Sequence, residues 1–101
     1  MARQQIVWTA RGLASLNEML LFYKLQNGNS IYSRKLLVHL KKSIKILEEF
    51  PYTGKPTSLY PIREFVLSRN SVFYKLMDEK IYILLVWDNR MDSQFLLKKL
   101  V

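Results

Sequence analysis

Cysteine is absent from the 101-residue chain, and histidine occurs once, as His39. The first absence excludes a disulfide framework and a Cys-based zinc site, and it fits a reducing compartment. A lone histidine cannot build a His-rich metal site by itself, so no metal and no other cofactor is expected. Long apolar runs are missing as well. The longest, Ile81 to Trp87, falls short of the roughly 18 residues a membrane span needs. The start, Met1-Ala2-Arg3-Gln4-Gln5, lacks the apolar stretch of a signal peptide. These absences together predict a cytoplasmic protein with no membrane partner.

Acidic side chains are scarce in the first half. Residues 1–47 hold eight Lys and Arg against Glu18 alone, whereas residues 48–101 hold eight against seven acids. The formal net charge of +8 therefore originates in the first half. A field of this kind attracts nucleic acid or an acidic protein segment and speeds encounter. Half of the residues are hydrophobic, enough for a packed core, and the length suits a single domain spanning 1–101.

Gln4 to Thr9 reads as a short strand whose Thr9 can cap the element that follows. A helix is predicted from about Ala10 to Gln26, with Leu13, Leu16, Leu20 and Tyr23 forming one apolar face. Asn27-Gly28-Asn29-Ser30 stops it: Gly or Asn supplies a left-handed C-terminal residue, and Ser30 can cap a second helix. That helix runs from about Ile31 to Glu49 on a buried stripe of Leu36, Leu40, Ile44 and Leu47. At 100° per residue, Arg34, Lys41 and Lys45 point away from the stripe, flanked by Lys35 and Lys42. Two amphipathic helices with a short connection predict an antiparallel hairpin with a basic outer surface. That surface reads equally as a merely solvated face.

Pro51 ends the second helix and Gly54-Lys55-Pro56 continues as loop. Three strands follow, Ile62 to Leu67, Val72 to Met77 and Ile81 to Trp87, with turns at Arg69-Asn70-Ser71 and Asp78-Glu79-Lys80. The third is apolar on both faces and should lie inside the sheet. The tail from Asp92 to Val101 reads as either a strand extension or a short helix. The predicted class is α+β, in the order β-α-α-β-β-β, with the helical hairpin packed on a small twisted antiparallel sheet and the first strand at an edge.

Landmarks along this order resemble the RelE/ParE toxin superfamily, on its ParE side. Trp8-Thr9 precedes the first helix, with Leu16 and Tyr23 at the expected offsets. Phe50-Pro51-Tyr52-Thr53-Gly54 is similar to the family's loop after the second helix, and Ile62-Arg63-Glu64 to its strand start. Val72-Phe73-Tyr74 resembles the aromatic second strand, and Val86-Trp87-Asp88-Asn89-Arg90 the strand end that leads into an Arg-containing tail. The chain departs from the pattern at Gly12, where Ala is frequent. It departs again at Asn70-Ser71, where a Tyr-Arg pair is frequent, and at Ser93, where Pro is.

The resemblance implies the toxin component of a type II toxin–antitoxin system of the kind associated with plasmid stabilisation and growth inhibition. Two modes of action stay open. RelE-like relatives are ribosome-dependent mRNA endonucleases, with the ribosome and mRNA as partners. Such chemistry needs a deprotonated 2′-OH, a stabilised phosphorane charge and a protonated leaving oxygen. Arg63, Lys75 and Arg90 are the candidates for holding phosphate. Ser71 stands where an Arg would be wanted, and Phe95, which cannot transfer a proton, where a Tyr would be. ParE-like relatives inhibit DNA gyrase through a binding surface and need no catalytic set. For that mode the target-binding candidates are Arg63, Arg90, Phe95, Lys98 and Lys99. The plain alternative for Arg63 is an ion pair with Asp88. His39 and both tryptophans read as structural, and Tyr74 as core. The resemblance further implies a small antitoxin that wraps the toxin, through which it would meet DNA indirectly. A homologue that is non-toxic and only binds antitoxin is the third possibility.

Overall fold

The computed structural model describes residues 3–90 and 98–100. Its elements run β1 (Gln5–Trp8), α1 (Ala10–Asn27), α2 (Ile31–Glu49), β2 (Lys55–Pro56), β3 (Arg63–Leu67), β4 (Asn70–Met77) and β5 (Lys80–Asp88). The strands form one sheet in the order β1-β5-β4-β3-β2. The predicted α+β hairpin-on-sheet architecture is thus what the chain adopts. Three features differ from the sequence reading. β2 is an extra two-residue strand at the far edge, paired antiparallel to β3. β1 pairs parallel to β5, so the sheet is mixed, not wholly antiparallel. A strand's residue pattern does not encode its direction; here the start of α1 sets it. Thr9 N–H (3.2 Å) and Thr9 Oγ1 (2.7 Å) both donate to Ile83 O. Third, Asn70 and Ser71 do not form a turn; they open β4, opposite Asp88 and Trp87. The turn is two residues, Ser68 and Arg69, and Ser68 takes the positive φ. The other hairpin turns on Asp78 and Glu79, both at positive φ, as a tight two-residue loop requires.

Thr9 caps α1 as expected, its hydroxyl accepting Gly12 N–H at 3.0 Å, and Gly28 closes the helix in the left-handed conformation. Ser30 makes no side-chain cap; Asn29 Oδ1 takes the Ile31 N–H at 3.0 Å instead. The buried face of α1 is Gly12, Leu16, Met19 and Tyr23, so Leu13, 48% exposed, lies outside it. Both series repeat at three and four residues. The helix is apolar nearly all round, and what selects its face is Gly12, where an added Cβ would stand 2.2 Å from Ile83 O. The absence of a side chain lets α1 lie directly on β5. Ser15 completes this seam, accepting Val86 N–H at 2.9 Å.

α2 buries the predicted stripe of Leu36, Leu40, Ile44 and Leu47, joined by Ser33, whose hydroxyl donates to Leu20 O at 2.7 Å. The Tyr23 and Tyr32 rings meet edge-on at 4.9 Å. Tyr23 with Tyr32 and Leu20 with Ser33 are contacts running in opposite directions, the mark of an antiparallel hairpin.

β5 lies inside the sheet, as its two apolar faces predict. A register shift opposite Phe73 and Tyr74 leaves Leu84 without a partner in β4. The bulge reverses which side chains face the helices. Ile81, Ile83 and Val86 join the helix-side core, while Leu85 and Trp87 form a second cluster with Phe73 on the far side. Leu100 packs on that second cluster, and residues 98–100 are helical. Trp8 packs against the helix-side core.

Tyr74 is fully buried and ties the post-helix loop to the sheet. Its hydroxyl donates to Pro51 O (2.8 Å) and accepts Gly54 N–H (2.9 Å). The phenol thus joins both ends of the Pro-x-x-Gly loop, and a Cβ at Gly54 would stand 2.7 Å from the ring. Tyr74→Phe should lower stability by about 1–3 kcal/mol, because it strands a buried donor and a partly buried acceptor. Urea denaturation checks this; an unchanged midpoint would mean the loop is held otherwise.

Candidate protein-docking groove

β1 accompanies β5 only along Lys80–Ile83. Beyond the unpaired Leu84, from Leu85 to Asp88, the strand keeps β4 as its partner, and its other edge faces a groove beneath the flank of α1. The groove measures about 570 Å³ and its walls are mostly apolar: Met19 and Phe22 from α1, Leu85 to Trp87 from β5. Ser15 bridges its floor through the bond to Val86 N–H. Glu18, Arg90 and Lys99 supply charge. Along α1, Phe22 is more than half exposed, as are Leu21 and Leu25. The apolar lining therefore continues out of the groove onto the helix surface, a sign of a binding face.

Arg90 stands at the strand end in a network the sequence did not disclose. Asp88 is buried. Arg90 Nη2 donates to Asp88 Oδ2 at 2.7 Å, Arg90 Nε to Asp88 Oδ1 at 3.1 Å, and the Arg90 backbone N–H to Asp88 Oδ1 at 2.9 Å. Tyr23 OH donates to Asp88 Oδ2, and Arg90 Nη2 donates to the Tyr23 hydroxyl oxygen. The guanidinium also lies over the Tyr23 ring, 5.4 Å from its centroid. The carboxylate thus fixes the turn and one edge of the fork while the Arg90 side chain stays 52% exposed. Its Nη1 makes no hydrogen bond to a described residue, and such a donor suits a carboxylate or a carbonyl on a partner. A cation already oriented, set beside an apolar trough, is a docking feature.

The alternative reading of Arg63, an ion pair with Asp88, does not hold. β4 separates their strands, and Arg63 sits opposite Tyr74 while Asp88 sits opposite Asn70. Arg63 instead donates to Gly54 O (3.0 Å) and Tyr52 O (3.3 Å) and stacks on the Tyr52 ring at 5.2 Å. Lys75 follows Tyr74 on β4 and so projects from the opposite face of the sheet. The three candidate phosphate ligands are therefore dispersed: Arg63 at the β2–β3 edge, Lys75 on the far face, Arg90 at the end of β5. Ser71, fully buried, donates to Glu64 Oε2 at 2.6 Å, with Asn89 Oδ1 at 3.1 Å. A polar cluster occupies the position where a ribonuclease would want an Arg. Phe95 lies outside the described residues; Lys98 and Lys99 are exposed, and Lys99 lines the groove. His39 is exposed on α2, as are Arg34, Lys35, Lys41, Lys42 and Lys45.

Sequence reasoning singled out Arg90 but missed Asp88 and Tyr23 as its partners. The available signal was the Asp-x-Arg spacing at the end of a buried strand, which lets a carboxylate accept from the backbone two residues on. Among the described residues no group of three or more His, Asp or Glu could hold a metal, and no helix is long and apolar enough to cross a membrane.

No protein-family model matches the chain, and no curated protein matches it in sequence. A chain in a solved structure described as the chromosomal ParDE TA system from P. aeruginosa superposes with a TM-score of 0.76 at 19% identity, over 85% of this chain and 96% of that one. The β-α-α-β-β-β-β order and the helix pair on a mixed sheet thus belong to a fold shared with a chain of that ParDE system.

Proposed function

We propose that this chain is the toxin of a type II toxin–antitoxin pair, a cytoplasmic ParE-like inhibitor of DNA gyrase that works by binding. The observation that carries the reading is the α1–β5 groove, in which Asp88 and Tyr23 orient Arg90 beside an apolar trough. The shared fold with a ParDE chain supports the toxin class. Dispersal of Arg63, Lys75 and Arg90 favours binding over RNA cleavage, because phosphoryl chemistry needs its charges on one scissile group.

Neutralisation follows from the same geometry. An amphipathic antitoxin helix would lay its apolar side chains in the groove and along Leu21, Phe22 and Leu25. An extended antitoxin segment could add to β5 beyond Val86, whose own N–H is already held by Ser15. Either mode covers Arg90 and so denies it to the target. An acidic antitoxin would suit the +8 charge.

Induction of the chain in a bacterial host tests the reading. The expected result is DNA double-strand breaks and filamentation while translation continues. An immediate stop in translation with cut messages would instead assign the ribosomal endonuclease, and normal growth a non-toxic antitoxin-binding homologue.

A further inference from the structure

The outer face of α2 has no role in the groove. It carries Arg34, Lys35, Lys41, Lys42 and Lys45, all exposed. At 100° per residue these five cations fall within an arc of about 120°, and at 1.5 Å per residue Arg34 to Lys45 spans about 16 Å of helix. Among the described residues the two ion pairs are Arg3–Glu49 and Arg90–Asp88, and neither uses any of the five. None of the five donates a side-chain hydrogen bond to another described residue. The acid on the same arc, Glu49, is held by Arg3 at 2.7 Å. Glu48 lies about 20° outside the arc, so five cations face two acids, one of them already paired, and the face stays net positive.

We propose that this face of α2 binds the phosphate backbone of duplex DNA without reading its sequence. Three observations select that partner. The arc between the cations holds Ile31 and Val38 and no aromatic side chain, so it offers no platform on which the bases of a single strand could stack. Tyr32 is turned away, edge-on to Tyr23. The arc also holds no Asn or Gln to address base edges, which leaves phosphate contact alone. Lastly, a rigid row of five cations matches the dense charge of a double helix, about one phosphate per 1.7 Å of axis, better than a flexible single strand. This inference does not rest on gyrase being the target, since a docking groove on the α1 side works without it.

The test is fluorescence anisotropy of the full chain with a labelled 20-base-pair DNA of arbitrary sequence, titrated at several salt concentrations. Five phosphate contacts predict a log–log salt slope of about −4.5, or about 500-fold weaker binding from 50 to 200 mM salt. The triple variant Lys41→Gln, Lys42→Gln, Lys45→Gln should bind more weakly at every salt and flatten the slope to about −1.8. A matched triple off the face, Arg11→Gln, Lys24→Gln, Lys55→Gln, should keep the wild-type slope. All six positions are exposed, and a thermal melt of each variant verifies folding. Equal losses in both triples would reduce the effect to net charge and overturn the proposal. So would an unchanged slope in the first triple. Tighter binding of the single strand, or of an RNA duplex of the same sequence, would overturn the assignment to duplex DNA.

Discussion

Gly12→Ala is expected to destabilise the chain by about 3 kcal/mol or more, at the upper end of what overpacking costs. The added methyl would meet Ile83 O at 2.2 Å, and that oxygen cannot move aside freely. It already accepts from the backbone and the hydroxyl of Thr9, the residue that starts α1. Relief therefore requires lifting the helix from β5, which would also disturb the Ser15–Val86 bond and the groove. For a chain of this size, a loss of about 3 kcal/mol corresponds to a melting point lower by roughly 12–24 °C. Gly28→Ala is the comparison. Nothing lies within 4 Å of its Cβ, but the residue sits at φ 74°, so only about 1–2 kcal/mol should be lost. Scanning calorimetry of both variants checks the order; a Gly12→Ala protein that melts like wild type would mean α1 does not rest on the strand at this point.

Arg90→Ala is the second large effect, and it acts on function. An exposed, oriented Arg beside an apolar trough has the character of an interface hot spot. Its truncation should weaken target binding by about 2 kcal/mol or more, close to thirty-fold. Toxicity should fall accordingly. Antitoxin binding should stay measurable, because an antitoxin would also cover the apolar surface of α1. Arg90→Lys should recover little, since an ammonium cannot keep the two-point hold on Asp88 and present a free edge at once. Growth after induction, together with a pull-down by the antitoxin, separates the two activities. Full toxicity in Arg90→Ala cells would remove Arg90 from the site.

Much of this architecture was legible in the residues, for identifiable reasons. Leu36, Leu40, Ile44 and Leu47 are the only apolar stripe α2 offers, so its face and its length could be read directly. The double-sided apolarity of Ile81 to Trp87 placed β5 inside the sheet. α1 was harder because it is apolar nearly all round, and periodicity alone cannot choose between Leu13 and the Gly12–Met19 face. The choice is made by backbone proximity to Ile83, a tertiary fact. Asn70 and Ser71 have turn chemistry, yet they sit buried in a strand because Met19, Glu64 and Asn89 supply partners for their polar atoms. A sequence cannot announce such partners. The Arg90 site was half visible: its cation was, but the partners that orient it were not, since Tyr23 lies 67 residues away on another element.

The dispersal of Arg63, Lys75 and Arg90 has a simple origin in strand geometry. Adjacent residues on β4 must face opposite sides, so Tyr74 in the core commits Lys75 to the far face. Arg63, paired across from Tyr74, is drawn to the loop that the same tyrosine holds. The buried phenol and Arg63 thereby fix the loop together, and the alternation at Tyr74 keeps two of the three cations apart.

Purified gyrase, supercoiled plasmid and this chain, assayed for cleaved DNA after detergent and protease treatment, give the most direct test of the account. Wild-type chain should accumulate linear plasmid in a gyrase-dependent manner, and Arg90→Ala should not. Unaltered gyrase activity alongside efficient cutting of ribosome-bound mRNA would contradict it.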